Sequence, residues 1–138
     1  MEKAIIDTGI WIGAHWKTDQ YNAPSKEIMQ AFAEGKIHHF YLTDFVLIET
    51  INFLLRKRNY ETAKIALEAF NSERITVYHV DALLFKKTQA IFNQYKALSL
   101  TDASLIALAE ELNIKTIFSF DTLFDRVKGI QRLESFSE

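Results

Sequence analysis

The chain has 138 residues, of which 49% are hydrophobic and 25% charged, with 11 Phe, 5 Tyr and 2 Trp. That is enough for a single domain over residues 1–138 with a sizeable core; it excludes a second domain and disorder, and one Pro and four Gly leave no material for a linker or low-complexity tail. The net charge of −2 does not announce a nucleic-acid ligand, and the absence of Cys excludes disulfides, thiolate metal sites and cysteine nucleophiles.

In chain order, Lys3 to Ile6 reads as a short buried strand that ends at Asp7 and is broken by Thr8-Gly9. Glu2 and Asp7 flank that run, unlike a secretory signal, and no charge-free stretch approaches the roughly 18–20 residues of a bilayer span. The expectation is a cytoplasmic protein without a membrane segment. A helix is predicted from about Pro24, with Ile28, Met29 and Phe32 inward, until Gly35 stops it. His39 to Leu42 is a second strand. Thr43 and Asp44 are N-cap types for a helix over Phe45 to Arg58, and Tyr60 to Phe70 gives another. Ile75 to His79 is a third strand. Asp81 caps a helix with Leu84, Phe85, Thr88, Ile91, Phe92 and Tyr95 inward, and Thr101 caps the next, with Leu105, Ile106, Ala109 and Leu112 inward. Thr116 to Phe120 is a fourth strand, followed by a helical turn over Thr122 to Val127 and a weak last strand near Gln131 to Phe136. Strands separated by helices define the α/β class, with a mostly parallel sheet of four to five strands flanked by helices.

Four carboxylates stand apart from this pattern. Asp7 is the only formally charged residue between Lys3 and Lys17, Glu49 between Asp44 and Arg56, Asp102 between Lys96 and Glu110, and Asp121 between Lys115 and Asp125. The Glu49 helix is apolar almost all round, which predicts burial. An unpaired buried carboxylate costs several kcal/mol, comparable to the stability of a whole domain, and no basic residue lies in these windows to pair with it. Convergence on Mg²⁺ or Mn²⁺ would resolve the cost, because hard cations take oxygen ligands. Asp7 and Asp121 fall just past strand carboxyl ends, where open parallel sheets bind ligands. Structural readings stand beside this one. Asp7 and Asp121 could cap the segments that follow them, and Asp102 could stabilise a helix N-terminus. Glu49 lies in mid-helix, where no cap is needed. Two other α/β chemistries fit worse: Asp7-Thr8-Gly9 lacks the second Asp of a haloacid-dehalogenase-type phosphatase, and there is no glycine-rich phosphate loop.

The segments carrying these acids, Ile5 to Ile12, Leu42 to Thr50, Leu98 to Ala109 and Thr116 to Phe124, resemble in order the four acidic segments of PIN domains. Length and order are similar to the VapC-type toxins of toxin–antitoxin pairs. The resemblance implies a metal-dependent endoribonuclease with Asp7, Glu49, Asp102 and Asp121 as catalytic and metal-binding acids and Thr8 as a polar neighbour. It further implies hydrolysis of RNA to a 5′-phosphate and a 3′-hydroxyl, a homodimer and a cognate antitoxin. A housekeeping RNA-processing nuclease and a non-catalytic PIN-like binding module are the alternatives. Asp125 is read as an accessory acid or, preferably, as a residue on a helix surface beside Arg126; Asn52 is read either as a neighbour of the site or as an ordinary amide. Arg56-Lys57-Arg58 suits a helix C-terminus as well as a phosphate, Lys86-Lys87 reads as a solvated helix face, and the four His show no ligand spacing. Trp11 and Trp16 belong to the core or, with the Pro24 helix, to a partner groove. Setting the four isolated acids aside turns the net −2 into +2 for the rest of the chain.

Overall fold

The computed structural model describes residues 1–137. The elements are β1 (Lys3–Ile6), α1 (Thr8–His15), α2 (Asn22–Ala33), β2 (His39–Thr43), α3 (Asp44–Lys57), α4 (Tyr60–Ala69), β3 (Ile75–Tyr78), α5 (Ala82–Gln94), α6 (Leu100–Leu112), β4 (Thr116–Phe118), a 3₁₀ turn (Thr122–Arg126) and β5 (Gln131–Leu133). The strands form one all-parallel sheet in the order β3-β2-β1-β4-β5. β1 is central, and Ala4, Ile5 and Ile6 are all fully buried; both faces of this strand are covered, which is why it shows no polar alternation. The chain leaves β1 toward β2 on one side and leaves β4 toward β5 on the other. The crevice past the carboxyl ends of β1 and β4 is therefore the switch point of the sheet.

Trp11, Phe40, Phe118 and Phe124 fill the centre, with the Trp11 ring edge-on to Phe40 and 4.5 Å from Phe70. Trp11 is thus core and contributes nothing to a surface groove. Trp16 is half-buried between Phe53 and the Arg58 guanidinium. Gly35 ends α2 in the left-handed region, at a φ of 80°, where a side chain would be strained.

Several boundaries and faces differ from the sequence expectation. α2 begins at Asn22, two residues ahead of Pro24, because the first helical turn asks no N–H of its residues. α6 is capped by Ser99 rather than Thr101: the Ser99 hydroxyl accepts from Asp102 N while Asp102 reaches back to Ser99 N. Thr43 precedes α3 without capping it, since its hydroxyl pairs with Ser104, and Asp44 instead binds His79 and the Val80 N–H. β4 and β5 stop at Phe118 and Leu133, short of Phe120 and Phe136. Phe92 of α5 faces solvent, 42% exposed.

The largest departure is α3. Only Val46, Thr50 and Leu54 are buried, while Ile48 and Leu55 are 52% and 49% exposed. The helix buries one stripe and leaves apolar side chains outside.

Candidate active site

Asp7 sits where β1 meets α1. Its backbone N donates to Phe118 O across the sheet, and its carboxylate caps α1, Oδ1 accepting from Thr8 N at 2.8 Å. Oδ2 accepts from the Ser119 hydroxyl at 2.7 Å, and that same hydroxyl accepts from Asp121 N at 3.0 Å. One buried serine therefore ties the ends of β1 and β4 together and sets two carboxylates side by side. Asp121 begins the 3₁₀ turn, Oδ1 accepting from Leu123 N at 2.9 Å. Asp102 is brought in by the capping box of α6, with Asp102 N donating to Ser99 Oγ at 3.0 Å. The Thr43–Ser104 hydroxyl contact, 2.8 Å, holds this end of α6 against the end of β2.

The capping readings are thus correct for Asp7 and Asp121, and Asp102 serves its own capping box. None of the three roles uses up the carboxylate charge. Among the described residues, none of the four isolated acids makes an ion pair. Glu49 departs from expectation in burial: it is exposed on α3, so the cost of an unpaired buried charge does not apply to it. It nonetheless lies within electrostatic reach of Asp102.

The charges act on each other. Burial pushes the Asp7 carboxyl up to about 7, with Asp102 and, more weakly, Asp121 adding repulsion against the hydrogen bonds from Ser119 and Thr8 N. Burial likewise raises Asp102 to about 6; the hydrogen bonds at Ser99 oppose the shift, and the charges of Asp121 and Glu49 reinforce it. The two carboxyls are coupled and titrate as a group. Asp7, Asp102, Asp121 and Glu49 thus form one connected electrostatic group, drawn from three loops at strand or helix ends and from α3.

Among the described residues, no three His, Cys, Asp or Glu side chains are gathered closely enough to hold an ion between them. The four acids are neighbours at electrostatic range, not a closed shell. By chemistry they suit a hard divalent cation: every donor is oxygen, the charges repel, and the Thr8 hydroxyl beside Asp7 is buried with no hydrogen-bond partner.

The accessory candidates separate. Asn52 is exposed on α3, one turn beyond Glu49. Both Asp125 oxygens are engaged by Arg132, at 2.9 and 3.2 Å, so this acid is not a free ligand; it lies exposed beside Arg126, as the surface reading expects. Sequence reasoning assigned no role to Ser119 or Arg132. Arg132 also donates to Ser119 O at 3.0 Å and to Glu134 at 2.8 Å, buttressing the serine that joins Asp7 to Asp121. A hydroxyl residue closing an apolar strand, two positions before Asp121, was the only signal for Ser119; Arg132 offered none. The histidines are spread over separate contacts with Glu2, Trp11 O, Thr76 and Asp44, as expected of residues without ligand spacing. Lys87 pairs with Glu111 across α5 and α6.

The PIN domain family model matches residues 4–130, and the chain belongs to that family. Within it, the chain resembles the VapC ribonucleases of toxin–antitoxin systems. It is 33% identical over 125 residues to a VapC ribonuclease of Archaeoglobus fulgidus, covering 88% of this chain and 78% of that protein. The fold matches the VapC20 toxin of Mycobacterium tuberculosis, which cleaves the sarcin–ricin loop, with a TM-score of 0.78 at 22% identity over 88% of this chain and 92% of that one. It also matches a chain of VapBC2 from Rickettsia felis bound to a promoter DNA fragment, with a TM-score of 0.70 at 14% identity over 98% and 99% of the two chains.

Proposed function

We propose that this chain is a divalent-metal-dependent endoribonuclease, the toxin of a VapBC-type pair, in which Asp7, Glu49, Asp102 and Asp121 hold Mg²⁺ or Mn²⁺. The observation that carries the reading is the gathering of acids at the sheet switch point: burial, reinforced by the charges of neighbouring acids, raises Asp7 and Asp102, and among the described residues neither makes an ion pair. A phosphodiester is itself anionic, so an ionised pocket of four acids would repel its substrate without a counter-ion. Bound there, the metal would neutralise both parties, lower the pKa of an attacking water and stabilise charge on the leaving oxygen.

The chain's own residues supply the frame. Ser119 orients Asp7 through Oδ2 and fixes the start of the Asp121 turn, so two acids keep their relative position as protons leave. The Thr8 N–H holds Oδ1 of Asp7, and the unpartnered Thr8 hydroxyl offers a neutral oxygen at the same place. Glu49, being exposed, approaches from the solvent side, where the RNA must enter. A carboxylate among them orients the water for in-line attack, leaving a 5′-phosphate and a 3′-hydroxyl.

Partner expectations follow from the same reading. The VapBC neighbour supports an antitoxin, and a cationic segment inserted at the acidic pocket would block it. A homodimer accounts for the apolar side chains left outside, Ile48 and Leu55 on α3 and Leu83 and Phe92 on α5, two helices joined through Phe45 and Phe85. No helix among the described residues is long and apolar enough to cross a membrane, and a toxin acting on cellular RNA works in the cytoplasm.

The test is cleavage of RNA by the purified chain. Activity should require Mg²⁺ or Mn²⁺ and vanish in Asp102→Asn with the circular dichroism spectrum unchanged. Undiminished cleavage in excess chelator would overturn the metal mechanism, and a small cognate reading frame beside the gene would support the toxin assignment over housekeeping RNA processing.

A further inference from the structure

Beside the acidic group stands an aromatic pair that neither capping nor metal binding uses. Tyr21, in the connection between α1 and α2, stacks on Phe120 with ring centroids 4.2 Å apart and planes 8° from parallel. Phe120 lies between Ser119 and Asp121, and its ring covers the start of α1: Cδ2 is 3.6 Å from where a Cβ on Gly9, two residues after Asp7, would stand. The pair therefore borders the acidic pocket on the side of both Asp7 and Asp121. Phe120 is half-buried, whereas Tyr21 is 38% exposed. The tyrosine is stacked on phenylalanine yet more than a third exposed, and its hydroxyl has no hydrogen-bond partner among the described residues.

We propose that Tyr21, backed by Phe120 and exposed beside the acids, is a stacking platform for an unpaired nucleobase adjoining the scissile phosphate. This rests on the ribonuclease reading above and adds to it a residue that grips the substrate.

The backbone beneath the ring is built to hold still. Tyr21 N donates to Asp19 Oδ2 at 3.0 Å, Tyr21 O accepts from Ser25 N at 3.0 Å, and Asn22 Nδ2 donates to Gly13 O at 2.8 Å. Gly13 makes that docking possible: a Cβ there would come within 2.2 Å of Ser25 Oγ and 3.0 Å of Tyr21 O. A flat ring fixed before the ligand arrives loses little freedom on binding. Stacking is available to every base, because each has a π-face, but only when that base is unpaired and accessible. A metal-charged acidic site grips the phosphate without reading the chain around it. A platform next to it sets the position of the neighbouring base and hence which bond lies in the pocket.

The experiment uses an unstructured RNA oligonucleotide carrying 2-aminopurine, whose fluorescence falls on stacking, titrated with the wild-type chain and with Tyr21→Ala, Tyr21→Leu and Tyr21→Phe in Ca²⁺, alongside cleavage kinetics in Mg²⁺. Wild-type protein should quench the probe. Tyr21→Ala and Tyr21→Leu should lose the quenching and raise KM about tenfold, within the range that base–aromatic stacking commands, while kcat changes little. Tyr21→Phe, which keeps the ring, should restore both. Leucine keeps an apolar contact with Phe120, so a loss shared by Tyr21→Leu with an unchanged melting temperature is not a folding defect. Quenching equal in wild type and Tyr21→Leu, or no quenching at any probe position, would overturn the platform. If wild-type protein quenches but does not cleave, the platform stands and the ribonuclease reading falls; if it cleaves without quenching, the reverse holds.

Discussion

Replacing Asp7 with Asn removes one charge from the repelling group without removing the shape of the side chain. The Asp7 carboxyl is raised from 3.8 to about 7, which is about three pKa units at roughly 1.4 kcal/mol each, so on the order of 4 kcal/mol separates its two protonation states between folded and unfolded chain. The sign follows from which state binds the proton more tightly. Here it is the folded one, so the contribution is fully present below pH 4, falls as pH rises, and is gone above about pH 7. Metal-free wild-type protein should lose about 3 kcal/mol from this group between pH 5 and pH 8.5, and Asp102 shifts in the same direction. Asp7→Asn lacks that loss. The amide can still accept from Thr8 N and face the Ser119 hydroxyl, as the protonated acid does. In excess chelator, the variant's melting temperature relative to wild type should therefore improve by about 10 °C on going from pH 5 to pH 8.5, taking roughly 3–4 °C per kcal/mol for a domain of this size. Differential scanning fluorimetry at the two pH values reads this directly. An equal effect at both values, or a loss at pH 8.5, would refute the repulsive cluster. Adding Mg²⁺ at pH 8.5 should reverse the order, because only the wild-type chain gains from binding.

The remaining expectations can be checked with the same material. Apparent Mg²⁺ affinity, by titration calorimetry, should strengthen from pH 5.5 to pH 8 as the raised carboxyls of Asp7 and Asp102 lose their protons; a flat profile would detach these acids from the metal. Glu49→Gln should change stability by less than about 0.5 kcal/mol, since the side chain is exposed and unpaired, while cleavage falls at least about tenfold; an equally active variant would remove Glu49 from the site. Gly13→Ala should lower the denaturant midpoint by an equivalent of roughly 1–3 kcal/mol, because the added methyl meets the Tyr21 backbone as well as a serine side chain. An unchanged midpoint would mean that α1 and α2 part easily.

The elements were legible in the sequence because their signals are local. Asp81 caps its helix with its own side chain, Gly35 turns the chain, and β1 is too apolar to be anything but central. The errors came where a local signal had a distant competitor. Thr43 and Asp44 are both good N-cap residues, yet Ser104 takes the hydroxyl of one and the β3 end takes the carboxylate of the other. Ser119 is out of reach for the same reason: its partner Asp7 lies across the sheet, 112 positions away.

Glu49 stands alone in an apolar stretch for a reason other than burial. An apolar sequence around a helix predicts burial all round, but α3 is shared among the sheet, α4 and solvent, and the solvent face carries Ile48, Leu55, Asn52 and Glu49 itself. Isolation in the sequence identified Asp7 because burial makes an unanswered charge costly there, and the raised carboxyl is the trace of that cost. The same isolation on α3 has a different cause. On α3 the charge stands out because its exposed neighbours Ile48 and Leu55 are apolar, not because it is buried. Exposure spares the folded chain a cost: a buried Glu49 would carry a desolvation penalty on top of the repulsion it already exerts on Asp102.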